Sequence, residues 1–361
     1  MERAAFVTDN GSDTISVIDR DDERVVAVPV DLDPARHEAP HHLAVLRGAG
    51  SSAGRVFVAL GFPPDPGKPK NRHAGHGSGE DRGKLAAFAL PDLSLERAVE
   101  VDENPGEVIL THDGTRVLVS HFDMKRAMTV AARGGGSPAT MFARLLVFDA
   151  RTLALVGERP LCVAPHGMAT TPDDRTLVVA CHGSDELAVV DLSQPSLPTS
   201  RYPLGIAQGV PGVPHYGPYS VALPPAGDRV LVANLESKDL LVFDLARRAF
   251  VAGAGVPLGA RAYMPAFAGE SAALVPLQAP DGLARVDLAA RRITIRVSYT
   301  PRECGRPHAA RVARDGRAYV VCEGDHEGPG AVLEIDPVTL ATRRRWPVGV
   351  YPDGIAFGDG S

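Results

Sequence analysis

Residues 6–19, FVTDNGSDTISVID, contain an apolar run, a polar turn and a second alternating run that closes on Asp. The figure returns as TLVVACHGSDELAVVD at 176–191, RVLVANLESKDLLVFD at 229–244 and RAYVVCEGDHEGPGAVLEID at 317–336. Alternation with period 2 is the mark of a strand, and Asp/Gly turns between such runs make hairpins. A third run follows each pair, as in ERVVAVPV at 23–30. A fourth opens on proline: PHHLAVL at 40–46, PHGMATTPDD at 165–174, PYSVALPPAGD at 218–228 and PHAARVARDG at 307–316.

Seven such units are counted, their second strands beginning near Ala4, Arg55, Arg116, Thr176, Arg229, Ala272 and Arg317. Four short strands repeated at this spacing predict an all-β fold, a closed seven-bladed β-propeller with four antiparallel strands per blade. Residues 1–361 form one propeller domain in this reading. The chain starts on a second strand and ends on an orphan first strand, PDGIAF at 352–357. The C-terminal strand is therefore expected to complete the first blade, with Ile355 beside Val7, so that no sheet edge stays open.

Residues 6–19 also follow the Tyr-Val-Thr-Asn, Gly-Ser, Val-Ile-Asp pattern, and in this the chain resembles the YVTN-type β-propeller repeat family, the surface-layer and lactonase-like seven-bladed propellers. All seven units show some of the pattern. The resemblance implies the fold across nearly the whole chain. It implies function only weakly, because such propellers serve as lactone hydrolases, lyases, metal-centred oxidoreductases and binding modules.

The formal net charge is −6 with no basic block, which argues against a nucleic-acid partner. No apolar run approaches the ~20 residues that span a bilayer. The N-terminus has neither the basic start nor the apolar stretch of a signal peptide, so the protein is expected in the cytoplasm, or exported with a leader removed. A monomer is expected.

First strands line a propeller's channel. The position after the opening proline carries His41, His166, Tyr219, His308 and Asp353, and the end of the second strand carries His121, Cys181 and Cys322, followed by His182 and Glu323. All four cysteines lie in two copies of one arrangement: Cys162, His166 and Cys181, then Cys304, His308 and Cys322. Three readings stand side by side. The cysteines form two disulfides within their own blades, they lend thiolates to a metal, or they are buried and inert.

Long insertions at 61–83, 121–143 and 193–217 are placed on the same face, as loops that would lid a site at the channel mouth. His73 and His76 in the first are a weaker candidate for metal capture.

The expected site is a transition metal ion (copper, iron or zinc) held by His41, His166 and His308 with Cys181 and Cys322. His121, His182, Tyr219, Glu323 and Asp353 serve as catalytic or proton-carrying groups. The expected function is a metal-dependent enzyme taking a small-molecule substrate at the channel mouth, oxidoreductase favoured over hydrolase or lyase. The alternative is a non-catalytic YVTN-type binding propeller offering the same face to a protein or glycan.

Overall fold

The computed structural model describes residues 3–48, 54–63, 79, 81–134, 137–207 and 209–359. Seven antiparallel sheets follow one another around a ring. The first contains Val25–Pro29, Thr14–Asp19, Ala4–Asp9 and Pro352–Phe357, so the last strand closes the first blade as expected. Val7 pairs with Ile355. Blades two, three, four and seven each have four strands in chain order; blades five and six carry one additional short segment each.

Alternation explains why the ring is stable. Val56 and Val58 of blade two pack toward blade one, while Phe57 and Ala59 of the same strand pack toward blade three. Successive side chains on a strand point to opposite faces, so one apolar run serves two blade interfaces. Seven apolar clusters fill the seven junctions, the last joining blade seven to blade one through Tyr319, Trp346, Ile18 and Phe357.

Blade six breaks the pattern at Pro265, where the first strand splits into Arg261–Ala262 and Ala266–Phe267. Met264, between the two pieces, pairs instead with blade seven, donating its N–H to the His308 carbonyl at 3.0 Å and accepting from Ala310 N–H at 2.9 Å.

A recurrent irregularity positions the site. The residue before the opening proline is left-handed in six blades: Ala39, Asn104, Ala164, Gly217, Arg306 and Tyr351, with φ between 48 and 60°. Directly after the proline the register shifts, as between Pro40 and Leu43, Pro105 and Val108, Pro165 and Met168, and Pro307 and Ala309. A bulge re-aims side chains relative to strict alternation. Two consecutive residues after the proline are thereby brought near the axis, where alternation alone would bring one. Room is tight: a Cβ on Gly167 would lie 2.5 Å from Ser220 Cα.

The insertion at 121–143 is not an open loop. Asp123 caps the helix Met124–Ala132 by accepting from Arg126 N–H, and Phe122, Ala127 and Met141 pack on Val163 and Ala164. The 193–217 segment is pinned by the Asp185 carboxylate, which accepts from the N–H groups of Gly209, His215, Tyr216 and Gly217. Most of 61–83, with His73 and His76, lies outside the described residues. No described helix is long and apolar enough to cross a membrane.

Candidate functional site on the propeller axis

Four histidines meet on the axis. The bulge in PHHLAVL aims both His41 and His42 inward, their rings 4.2 Å apart, and His166 lies 5.8 Å from the first and 5.6 Å from the second. His308 stands 6.2 Å from His42. Tyr219 stacks on His166 with centroids 4.0 Å apart, and Phe122 packs edge-on against His166 at 5.1 Å. All four imidazoles are buried.

Two carboxylates organise this cluster. Asp353 hydrogen-bonds His41 Nδ1 through one oxygen and has its other oxygen 3.1 Å from His308 Nε2. Glu323 hydrogen-bonds His308 Nδ1 and lies 2.7 Å from His326 Nε2. Burial alone would depress the His308 pKa, but Asp353 and Glu323 outweigh it and raise the pKa, favouring an imidazolium between two carboxylates. His42 has the opposite environment. Burial first, then His41, His166, His308 and Arg311, hold its pKa well below the ordinary value, so the ring is neutral. Its Nε2 is buried without a hydrogen-bond partner.

The structure separates some residues grouped by the sequence. His121 turns toward the third strand of its blade and donates Nδ1–H to the Arg144 carbonyl at 2.7 Å, away from the axial cluster. His182 lies across Phe122 from His166, at 5.3 Å from the phenyl ring. Tyr219, Glu323 and Asp353 do lie in the cluster.

Cys181 and Cys322 are not available as ligands, because they are bonded to Cys162 and Cys304. The pairing is the one duplication suggests, but its placement within single blades needs correction. Cys162 belongs to the outer strand of blade three, and Cys304 to the helical turn Pro301–Cys304 leading into blade seven. Each bridge therefore ties a blade's second strand to the chain arriving from the preceding blade.

Among the described residues, accessible space is found at the end of the channel away from the insertions. A cavity of about 570 Å³ opens at the end of the channel that carries the short turn Thr111–Gly114, opposite the insertions, and reaches His42, Glu107 and Arg311. A second cavity, of about 580 Å³, shares Glu107, His112 and Arg311 with it. Glu107 is the second residue after its proline, aimed inward by the same bulge as His42. Its carboxylate accepts from Met168 N–H and lies 3.3 Å from the Arg311 guanidinium. Burial pushes its pKa up to about 7 despite Arg311, the Met168 N–H and His308. Arg47 and Arg314 stand at the rim. Strict alternation missed His42, Glu107 and Arg311; the signal for the first two was the recurring Pro with a polar residue two positions after it.

No protein-family model and no curated protein matches the chain. Solved structures do. A periplasmic gluconolactonase from Pseudomonas aeruginosa aligns over 98% of both chains at 18% identity and a TM-score of 0.66. A Bacteroides uniformis protein provisionally assigned as a 6-phosphogluconolactonase aligns over 99% of this chain and 100% of its own at 12% identity and a TM-score of 0.67. The dihydro-heme d1 dehydrogenase NirN aligns over 99% of this chain and 76% of its own, at 15% identity and a TM-score of 0.57.

At these identities the likeness establishes the fold, a seven-bladed propeller of the kind seen in lactonase-like structures. The YVTN pattern itself is matched by no family model. The neighbours also correct the functional expectation. They are lactonases and a heme-related enzyme by name, which supports neither the preference for a metal-dependent oxidoreductase at the loop-covered mouth nor the alternative of a non-catalytic binding propeller.

Proposed function

We propose that this chain is a lactonase-like hydrolase of YVTN-type repeat pattern, opening a small anionic cyclic ester of the sugar-acid class. The cavity at the short-turn end is its substrate site. The observation that carries the reading is Glu107: a carboxylate only 3% exposed, lining a cavity of about 570 Å³ and facing Arg311. A general base works best with a pKa near the operating pH, and burial gives Glu107 that value.

In the proposed step Glu107 takes a proton from water as the water oxygen attacks the ester carbonyl. Arg311 offsets the charge that develops on the carbonyl oxygen. The ring C–O bond then breaks, and the alkoxide leaving group takes the proton back from Glu107, giving the hydroxy acid and restoring the carboxylate. Arg47 and Arg314 favour a substrate bearing a carboxylate or phosphate. The names of the structural neighbours support the substrate class. The axial histidines take no part in this step and are assigned to a metal ion below.

The test is proton release from 6-phosphogluconolactone in a pH-stat, with uncharged gluconolactone as the comparison. Acceleration over the spontaneous rate, lost in Glu107→Gln, is expected. No acceleration, or a fully active Glu107→Gln, would overturn the reading.

A further inference from the structure

We infer that His41, His42 and His166 form a three-imidazole site for one borderline transition-metal ion, zinc or copper. One ring nitrogen from each lies within 4.8 Å of the other two, and all three residues are buried. Tetrahedral ligand nitrogens about 2.0–2.1 Å from zinc lie roughly 3.4 Å apart, a separation inside that limit. His41 and His42 come as a pair because of the bulge after Pro40, which lets adjacent residues face one centre.

Three features favour a metal over a histidine cluster held only by hydrogen bonds. His42 Nε2 is buried with no hydrogen-bond partner, and a buried polar atom left unpaired keeps its full desolvation cost. Asp353 engages His41 at Nδ1, so a metal contact from that ring would be made through Nε2. A carboxylate on the far nitrogen is how metal-bound histidines are oriented and made more basic. Tyr219 fixes the plane of His166 by stacking on it.

A competing set, His42, His308 and Asp353, also meets the distance condition. It is the poorer choice. His308 has Glu323 on one ring nitrogen and Asp353 against the other, so an ion there would have to displace an existing charge pair. The three-imidazole set leaves those contacts whole. Its all-nitrogen donors suit zinc or copper and not magnesium or calcium, which take oxygen. Both disulfides remove sulfur from the choice.

The site borders the proposed substrate cavity through His42, but it does not rest on the hydrolytic step. The test uses full-length protein stripped with a chelator and titrated separately with Zn²⁺ and Cu²⁺ by calorimetry. One equivalent of at least one ion should bind. His42→Ala and His166→Ala should each weaken binding at least 100-fold, and Asp353→Asn about 10–100-fold, while the exposed His215→Ala leaves binding unchanged. His166→Ala separates the two ligand sets, since only the proposed one uses that ring.

If a variant fails to fold, X-ray absorption on the wild-type complex decides. Three imidazole shells support the site; two imidazoles with a carboxylate overturn it. Absence of stoichiometric binding to wild type, or an unchanged affinity in His166→Ala, also overturns it.

Discussion

Val7 and Ile355 face one another across adjacent antiparallel strands, although nearly the whole chain separates them. Nothing covalent holds that pairing. It is reinforced by Arg20, whose guanidinium lies 3.2 Å from Asp315 and 2.9 Å from Asp359, over the Phe357 ring. Trp346 adds a hydrogen bond to the Asp22 carbonyl at 3.0 Å. Deleting residues 352–361 removes the strand and exposes an edge on Ala4–Asp9, an invitation to intermolecular pairing. The truncated protein should elute as aggregate and lose its cooperative thermal transition. A monodisperse product with only a modest loss of melting temperature would count against closure as a main support of the ring.

Asp9 lies at the same closure and gives it a pH dependence. Its carboxylate accepts from Thr14 and Ser16 hydroxyls at 2.8 and 2.7 Å and from Gly349 N–H at 3.0 Å. Burial nevertheless dominates and pushes its pKa up to about 6. A raised carboxyl pKa means that the folded state holds the proton more tightly than the unfolded one. The resulting stability is fully present below about pH 4 and is lost as pH rises through 6, by about 2–3 kcal/mol at most. In Asp9→Asn this part of the pH dependence should vanish. Urea unfolding at pH 4, 5, 6 and 7 measures it, and parallel profiles for the two proteins would refute the assignment.

The ring was legible in the sequence because it rests on a period: one alternating run packs against two neighbours, and each proline marks the next first strand. The site was only half legible. His41, His166, His308 and Asp353 follow from the position after proline, whereas His42 and Glu107 depend on a bulge that local alternation does not encode. Cys162 and Cys304 precede their prolines by a few residues, and sequence spacing does not say that a strand of the previous blade is still running at Cys162. The cavity at the short-turn end was missed for a different reason. Long insertions suggested where binding would occur, but on the described residues Phe122 and its helix pack down over His166, while the end with short turns stays open.

Glu107 should set the pH profile of hydrolysis. A general base acts when deprotonated, so kcat/KM should rise with pH and level off above about 7, the value to which burial pushes this carboxyl. Arg311 and His308 favour its ionised form, and Arg311 is the group most directly opposed to it. Arg311→Met should therefore move the rising limb to higher pH as well as lower the plateau. A merely structural arginine would lower activity without moving the limb. The measurement is kcat/KM for the phosphorylated lactone between pH 5.5 and 9, and an unmoved limb would count against the Glu107–Arg311 pair.

The Cys162–Cys181 bridge joins the outer strand of blade three to the second strand of blade four, with Cα atoms 5.8 Å apart. Both residues are fully buried among Leu118, Leu145, Met168 and Val179, so the bridge is part of the apolar junction as well as a covalent tie. Closing a loop of 19 residues in the unfolded chain corresponds to about 3 kcal/mol of stabilisation on the chain-entropy account. Replacing both cysteines by Ala leaves no lone thiol and no buried hydroxyl, so the loss should come from the missing tie and a small cavity. The double variant should unfold at lower denaturant concentration by a free energy of that order. A reductant that opens buried bridges only during unfolding should destabilise wild type by more than the variant. Thiol counting on denatured, unreduced wild-type protein should find none. Four titratable thiols, or equal sensitivity of variant and wild type to reductant, would show that this junction is held by packing alone.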